Sequence, residues 1–481
     1  MERRNFLKII GSGSLYLAGG RLIQACSSTS KKKPNIILCM ADDQGWGDMA
    51  YNGHPVLKTP NFDAMAASAL RFDRFYAAAP VCTPTRGSVL TGRHPNRFGA
   101  FKWGHTLRPQ ELTIAEALKT AGYVTGHFGK WHIGSVLKDS PVNPGASGFD
   151  EWLSAPNFFD NNPILSHEGK AVQKEGESSM VTVDAALDFI RKYANTSSPF
   201  LALVWFGSPH VPHKATDINR KPYAHLSEDK QNFYGEITGM DRAVGKLRSE
   251  LRTLGIEENT ILWYCSDNGG LETNTSGGRG KKGQIYEGGL RVPAILEWPD
   301  RIPKHQVSDV PCSTSDIYPT ILDLLGIKMQ DQPPLDGISL APVIEQKMNA
   351  RPSPMGFWEH PTGGRGIPSA EWMSQLLEVQ KTGKELPGKE SRLRLDAGKI
   401  DKQYPLDHFP GHAAWLDWPW KLHRIENENN GLTLELYNLS DDPNEKRNLA
   451  ENNPDRVSTM KQQLETWLKS VVRSLNGKDY K

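Results

Sequence analysis

The chain has 481 residues and carries 57 lysines and arginines against 55 aspartates and glutamates, a formal net charge of +2. A balance this even, with no basic block, gives no case for nucleic acid as a partner, and the length accommodates one large domain with a smaller companion. Five cysteines with no C-x-x-C spacing form neither a disulfide framework nor a zinc site.

The first element reads as a targeting segment and not as part of the fold. Arg3 and Arg4 precede a modest apolar run that ends at Cys26, the pattern of a secretory signal over residues 1–25. The pair Arg3-Arg4 followed by Phe6, Leu7 and Lys8 resembles the twin-arginine export signal of bacteria. "LIQAC" resembles a lipoprotein cleavage box, which would leave Cys26 as an acylated first residue. A frayed amphipathic end is the alternative. Loss of this segment removes Arg3, Arg4, Lys8 and Arg21 against Glu2, so the mature chain is close to neutral. No other stretch is apolar for long enough to span a bilayer. The expectation is an exported protein, in the periplasm or on the outer membrane or cell surface, held to a membrane only by its lipid.

After this segment, short apolar runs alternate with helical patterns. "NIILCM" (35–40), "YVTGHFG" (123–129), "FLALVWFG" (200–207), "TILWYCSD" (260–267) and "VPAILEWP" (292–299) predict strands too uniformly apolar to have a wet face. Between them, Thr59 with Pro60 predicts a capped helix start, and Thr113 with Glu116 a capping box opening a helix that ends at Gly122. Pro84, Gly87, Ser88 and Gly92 suggest a short helix with Cys82 at its N-terminus. Strands alternating with helices predict an α/β fold with a mostly parallel sheet covered on both faces, over residues 26–349. From about residue 350 a smaller subdomain is expected, with strands "WPWKLHRI" and "LTLELYNL" and a closing amphipathic helix. Residues 361–411 read as a variable insertion around a helix capped by Ser369 and ended by Gly383. Cys39 and Cys265, inside strand patterns, read as inert buried thiols.

Polar groups follow the strands: Asp42 and Asp43 the first, Lys130 and His132 the second, His210 the third, Asp267 and Asn268 the fourth. Open α/β sheets bind ligands at such carboxyl ends. Three carboxylates and an amide form an all-oxygen donor set suited to calcium or magnesium. A thiol at a helix N-terminus near Arg86 would have its pKa depressed. A soft thiolate nevertheless fits poorly beside a hard cation, where an oxygen nucleophile is wanted.

Cys82-Thr83-Pro84-Thr85-Arg86 matches the C-x-P-x-R signature of the type I sulfatases, continued by "GSVLTGR". "PNIILCMADDQGWGDM", "GKWHIG", "SPH", "YCSDNGG", "KGQIYEGGLRVPAILEWP" and "LELYNLSDDPNEKRNLA" resemble family landmarks in family order. The resemblance implies an alkaline-phosphatase-like α/β fold with a small C-terminal antiparallel sheet and helix. It implies that Cys82 becomes formylglycine, made by a formylglycine-generating or anaerobic sulfatase-maturating enzyme. Asp42, Asp43, Asp267, Asn268 and residue 82 would hold Ca2+, or Mg2+. One hydroxyl of the hydrated aldehyde would attack sulfur. Arg86, Lys130 and Lys282 would hold the sulfate oxygens, His210 would protonate the leaving alcohol, and His132 would take the proton that releases sulfate. Lys282 is preferred to Lys281 by its spacing to Glu287, and Arg291 reads as a structural brace.

The resemblance and the export signal together imply a sulfated polysaccharide as substrate, such as ulvan, carrageenan or a glycosaminoglycan. Trp103, His105, His213, Trp358 and His360 are the candidate sugar contacts, with Trp152, Phe158, Phe159, His408, His412 and Trp415 in further segments read as loops. Two other readings use the same residues: a phosphomonoester or phosphonate hydrolase of this fold, and a surface glycan-binding lipoprotein whose cysteine is never converted.

Overall fold

A computed structural model describes residues 32–426 and 431–480. The expectations for Arg3, Arg4 and the lipid site Cys26 fall outside the described residues. Residues Lys33–Lys481 pack as one unit.

The apolar runs become strands because only a sheet covered on both faces can bury them. In chain order the strands are β1 (Asn35–Ala41), β2 (Leu70–Tyr76), β3 (Val124–Lys130), β4 (Glu151–Ala155), β5 (Ile164–His167), β6 (Lys170–Gln173), β7 (Phe200–Trp205), β8 (Thr260–Ser266), β9 (Arg291–Glu297), β10 (Gln306–Ser308) and β11 (Cys312–Ser313). They form one sheet in the order β10-β2-β9-β8-β1-β7-β3-β4-β5-β6, with β11 also on β2. The central strands β8, β1, β7, β3 and β4 are parallel. Side chains of β1 alternate between two cores: Ile36, Leu38 and Met40 enter one, Ile37, Cys39 and Ala41 the other. Helices Ile114–Thr120 and Ile317–Leu325 cover the first face, and Ser178–Tyr193 and Glu228–Thr253 the second. Each fully buried leucine or isoleucine contributes about 1.5–3 kcal/mol.

Several local expectations change. The run 292–299 does form a strand, β9, but antiparallel to both neighbours, β2 and β8. Thr59 does not cap by its side chain: its hydroxyl donates to Asp63 Oδ1 at 2.9 Å and accepts from Ala50 N–H at 3.0 Å. Ser369 is the first helical residue, and Pro368 takes the cap position. The Thr113/Glu116 capping box is formed, and Gly122 follows that helix with φ 82°.

A second sheet holds β12 (Met355–Glu359), β13 (His412–Asp417), β14 (Trp420–Glu426) and β15 (Leu432–Asn438), all antiparallel. Helix Pro454–Leu475 lays Met460, Leu464, Leu468, Val471 and Val472 on one face, a stripe at helical spacing. The other face, through Phe357, Ala414, Leu416 and Tyr437, meets Tyr76, Ile285 and Leu290 of the large-sheet region. A buried charge cluster sits at this junction. Lys421 Nζ lies 2.9 Å from Glu287 Oε1 and 3.1 Å from Glu445 Oε1. Tyr76 donates to Glu287 Oε2, and the Glu287 N–H to Glu445 Oε2 at 2.7 Å. His423 joins Glu445 through Nε2 at 2.8 Å and His412 through Nδ1 at 2.9 Å. No described helix is long and apolar enough to cross a membrane.

Candidate active site

Four of the central strands, β8, β1, β7 and β3, end side by side, and their carboxyl ends carry the polar residues that follow apolar runs in the sequence. Asp42 and Asp43 leave β1, Lys130 closes β3 with His132 beyond it, His210 follows β7, and Asp267 and Asn268 follow β8. Asp43 and His132 have φ of 74° and 58°, a left-handed backbone that few side chains adopt and that recurs at functional sites. Beyond Asn268 the chain passes close to helix Glu287–Leu290: a Cβ on Gly269 would lie 2.1 Å from the Gly288 carbonyl oxygen. The Lys282 N–H donates to Gly270 O at 3.0 Å, so this approach sets where Lys282 stands.

Helix Cys82–Thr91 starts at the cysteine, and Pro84 is tolerated because the first turn has no intrahelical acceptor for its missing N–H. Cys82 is 2% exposed. Burial pushes its thiol pKa up, outweighing the ammonium groups of Lys130 and Lys282, so the expected depression is reversed. Arg86, fully buried, donates through Nε and Nη2 to Asp267 Oδ2 at 3.0 and 2.7 Å and through Nη1 to the Lys130 carbonyl at 2.9 Å. Beneath it lies the Trp205 ring, 5.2 Å away, a contact the sequence reading missed because Trp205 sits inside an apolar strand.

Three cations face three carboxylates. Lys130 Nζ is 2.5 Å from Asp42 Oδ2, and Lys282 Nζ is 2.6 Å from Asp43 Oδ2. Burial alone would raise the Asp43 pKa, but Lys282, His210 and Lys130 together hold it below the ordinary carboxylate range. Asp267 moves up, through burial and the neighbouring Asp42, against the pull of Arg86. Despite these pairings Asp42 Oδ1 and Asn268 Oδ1 are buried without a hydrogen-bond partner. Asn268 Nδ2 is engaged by Asp43 Oδ1 at 2.9 Å, which turns its oxygen away toward nothing else. Donor atoms of Asp42, Cys82 and Asp267 lie within 4.8 Å of one another, as do those of Asp42, Asp43 and His210. Hard oxygen donors, orphaned and inward-facing, fit a divalent cation.

The two histidines differ. His132 has no hydrogen-bond partner at either ring nitrogen, and burial with Lys130 and Arg86 nearby keeps its pKa well below normal. His210 stacks on Phe158 at 4.3 Å, joins the Val211 carbonyl through Nδ1 at 2.6 Å and turns Nε2 toward Asp43 Oδ2 at 3.8 Å. Burial lowers its pKa to about 4.

The candidate sugar contacts separate. The Trp103–His105 loop touches the cysteine helix, because Gly104 N–H donates to Thr83 Oγ1 at 3.0 Å and that hydroxyl donates to the His132 carbonyl at 2.7 Å. Trp103 is 44% exposed, and His360 stacks on Phe101 at 4.5 Å. His213 instead lies against Phe233 and 3.5 Å from Asp229, on helix Glu228–Thr253. Trp358 lies in β12, buried, its indole N–H on the Pro410 carbonyl. Trp152, His412 and Trp415, read as loop residues, lie in β4 and β13 because their flanking residues pair in sheets, and Phe159 packs in the core. His408 lies 3.5 Å from Glu426. Lys281 is exposed while Lys282 reaches Asp43, and Arg291 donates to the Asp73 carbonyl from Nε and Nη2.

Fold and site together define an α/β architecture whose strand ends gather basic side chains around a carboxylate cluster. The sulfatase family model matches residues 34–327. The N-acetylgalactosamine-6-sulfatase of Canis lupus familiaris is 35% identical over 352 residues, 65% of this chain and 66% of that protein. The ulvan-active sulfatase of Formosa agariphila is 30% identical over 335 residues, covering 65% of each. The chain thus spans about two thirds of the length of these relatives. The solved structure of Ps i-CgsB in complex with k-i-k-neocarrahexaose superposes with a TM-score of 0.75 at 24% identity, over 92% of this chain and 98% of that one. The chain belongs to the sulfatase family of enzymes.

Proposed function

We propose that the chain hydrolyses sulfate esters of a sulfated polysaccharide or its oligosaccharides, using residue 82 oxidised to formylglycine and a calcium or magnesium ion held by Asp42, Asp43, Asp267 and Asn268. The observation that carries this reading is the pair of orphaned oxygens, Asp42 Oδ1 and Asn268 Oδ1, buried beside Cys82 among Arg86, Lys130 and Lys282. When bound, the cation neutralises the carboxylates and acidifies the attacking hydroxyl of residue 82.

The side chains divide the remaining work. Arg86 and Lys130 are fixed by Asp267 and Asp42, so they offset charge on the sulfate oxygens without reorganising. Lys282, with its side chain 21% exposed, swings from Asp43 to the ester as it enters. His210 commits its Nδ1–H to the Val211 carbonyl, so it donates from Nε2 only as the imidazolium. The arriving anionic ester raises its pKa and supplies that form. His132, with both nitrogens bare, accepts the proton when sulfate departs.

A carbohydrate substrate is supported by the relatives' names, which specify N-acetylgalactosamine 6-sulfate and ulvan, and by the neocarrahexaose bound to the structural neighbour. Export behind a twin-arginine signal and a lipid on Cys26 belong to the same reading, as does a maturation enzyme acting on Cys82. Peptide mass spectrometry across Thr83 on active protein tests it, together with sulfate release from ulvan, carrageenan and glycosaminoglycan oligosaccharides. Active protein with an unmodified Cys82 sinks the formylglycine step. Phosphate-ester turnover above sulfate-ester turnover sinks the substrate class.

A further inference from the structure

Behind the Trp103–His105 loop lies an open hollow lined by His105, Arg108, Arg365, Lys399, Lys402 and Tyr404. Asp396 and Asp401 share its wall, which leaves positive charge in excess. Among the described residues no salt bridge holds its four lysines and arginines, although Lys402 lies 4.5 Å over the Tyr404 ring and Arg108 5.9 Å from that of Tyr480. Arg108 is only 8% exposed: its Nη2 donates to the Leu475 carbonyl at 2.9 Å, and its Nη1 is buried with no partner. His105 has a carbonyl at each ring nitrogen, Gly99 O at 3.3 Å and Gly363 O at 3.1 Å, and burial lowers its pKa against the pull of both, so the hollow's charge comes from its lysines and arginines. Arg394, half-buried, has its pKa lowered by burial first and by the charge of Arg365 second, against the pull of Asp396. A protein gathers like charges and leaves a buried guanidinium N–H bare at a cost that an anionic ligand offsets. Most of the wall, Arg365 to Tyr404, comes from the 361–411 segment.

The hollow is joined to the reaction centre through one loop. His105 lines it, and the preceding residue, Gly104, donates to Thr83, next to Cys82. We infer that this hollow is a second anion subsite: while one sulfate ester sits at residue 82, a second sulfate or a carboxylate of the same glycan docks on Arg108, Arg365 and Lys402. This rests on the sulfated-carbohydrate reading above. It makes the enzyme select densely charged chains over isolated esters.

The test uses the full, matured protein, the oligosaccharide it desulfates best, and 4-nitrophenyl sulfate. The readout is the ratio of kcat/KM for the oligosaccharide to that for the aryl ester, in the wild type, in R365Q/K402Q and in R108K. The expected result is a fall of about tenfold in that ratio, through KM, in both variants. The double variant changes two exposed residues and carries the test should R108K misfold. Carboxyl reduction of the oligosaccharide assigns the anion: an advantage lost on reduction marks a uronate, and one retained marks a second sulfate. An unchanged ratio, or a wild type that turns over aryl sulfate alone, overturns the subsite and leaves the sulfatase reading standing. A wild type that releases sulfate from no ester fails at the functional reading, and the subsite falls with it.

Discussion

Two buried charge clusters in this molecule use nearly the same ingredients and finish them differently. At the junction of the two sheets, each carboxylate oxygen of Glu287 and Glu445 has a partner in Lys421, Tyr76, His423 or a backbone N–H. At the strand ends, Asp42 Oδ1 has Arg86 no nearer than 3.8 Å, and Asn268 Oδ1 and both nitrogens of His132 have no hydrogen-bond partner. The closed cluster is spent on holding the small sheet against the large one. The open cluster keeps its valences for something that arrives. Buried charge by itself therefore says little about function, whereas unfinished hydrogen bonding says a good deal.

The contrast can be tested by breaking each side. Cys82→Ala should lower sulfate-ester turnover by at least about 10^3-fold while the thermal midpoint stays close to that of the wild type, since one small buried atom is lost. Activity retained in this variant would mean that the open cluster is not the reaction centre. Lys421→Met should instead cost about 3–5 kcal/mol in urea unfolding, because it strands Glu287 and Glu445 without their cation. A harmless Lys421→Met would show that the closed cluster braces nothing.

Metal sharpens the comparison. Calcium at about 100 times its Kd should add about 2.7 kcal/mol to the wild type, measured by thermal shift. An Asp42→Asn/Asp267→Asn variant should lose that response, and a response that survives there would place the cation elsewhere. Per pH unit, the acid response is the smallest effect. His412 and His423 are held neutral, by burial first and by charged neighbours second, with pKa values far below the unfolded value of about 6.5. The unfolded chain therefore binds more protons as pH falls. Their contribution is complete above about pH 6.5 and erodes below it, by up to about 1.4 kcal/mol per pH unit for each. Replacing His412 by Gln should flatten the thermal midpoint between pH 6.5 and 4, and an unchanged slope would show that the closed cluster does not sense acid.

The same two regions mark how far the amino-acid sequence can be read. Asp42, Asp43, Lys130, His132, Asp267 and Asn268 were legible because an apolar run ending in Asp-Asp, Lys-Trp-His or Asp-Asn is a local signal, whereas Cys82, Arg86 and Lys282 were read only through the family signature and its spacing to Glu287. The closed cluster was not, because Glu287, Lys421, His423 and Glu445 meet only once the small sheet has docked, and no spacing announces that. Strand β2, with Arg71, Asp73 and Arg74 in its middle, hides its character behind charges that lie along its partly open face. β9 was legible as a strand but not in direction, which depends on what it pairs with. Trp358 misled as an aromatic beside a presumed pocket, since only its pairing in β12 turns it into the core. The thiol of Cys82 misled through its helix position, because full burial outweighs the nearby ammonium groups.

The burial of Cys82 has one more consequence, which concerns timing. The Cys82 side chain, 2% exposed at the first turn of its helix, offers little surface for a second enzyme to grasp in the finished fold. On the proposed maturation of Cys82, its oxidation and the closing of that helix would be competing events on a single nascent chain. On that proposal, the fraction of molecules able to work would be settled by which of them happens first, and a molecule that folds too soon would stay inert for as long as it remains folded.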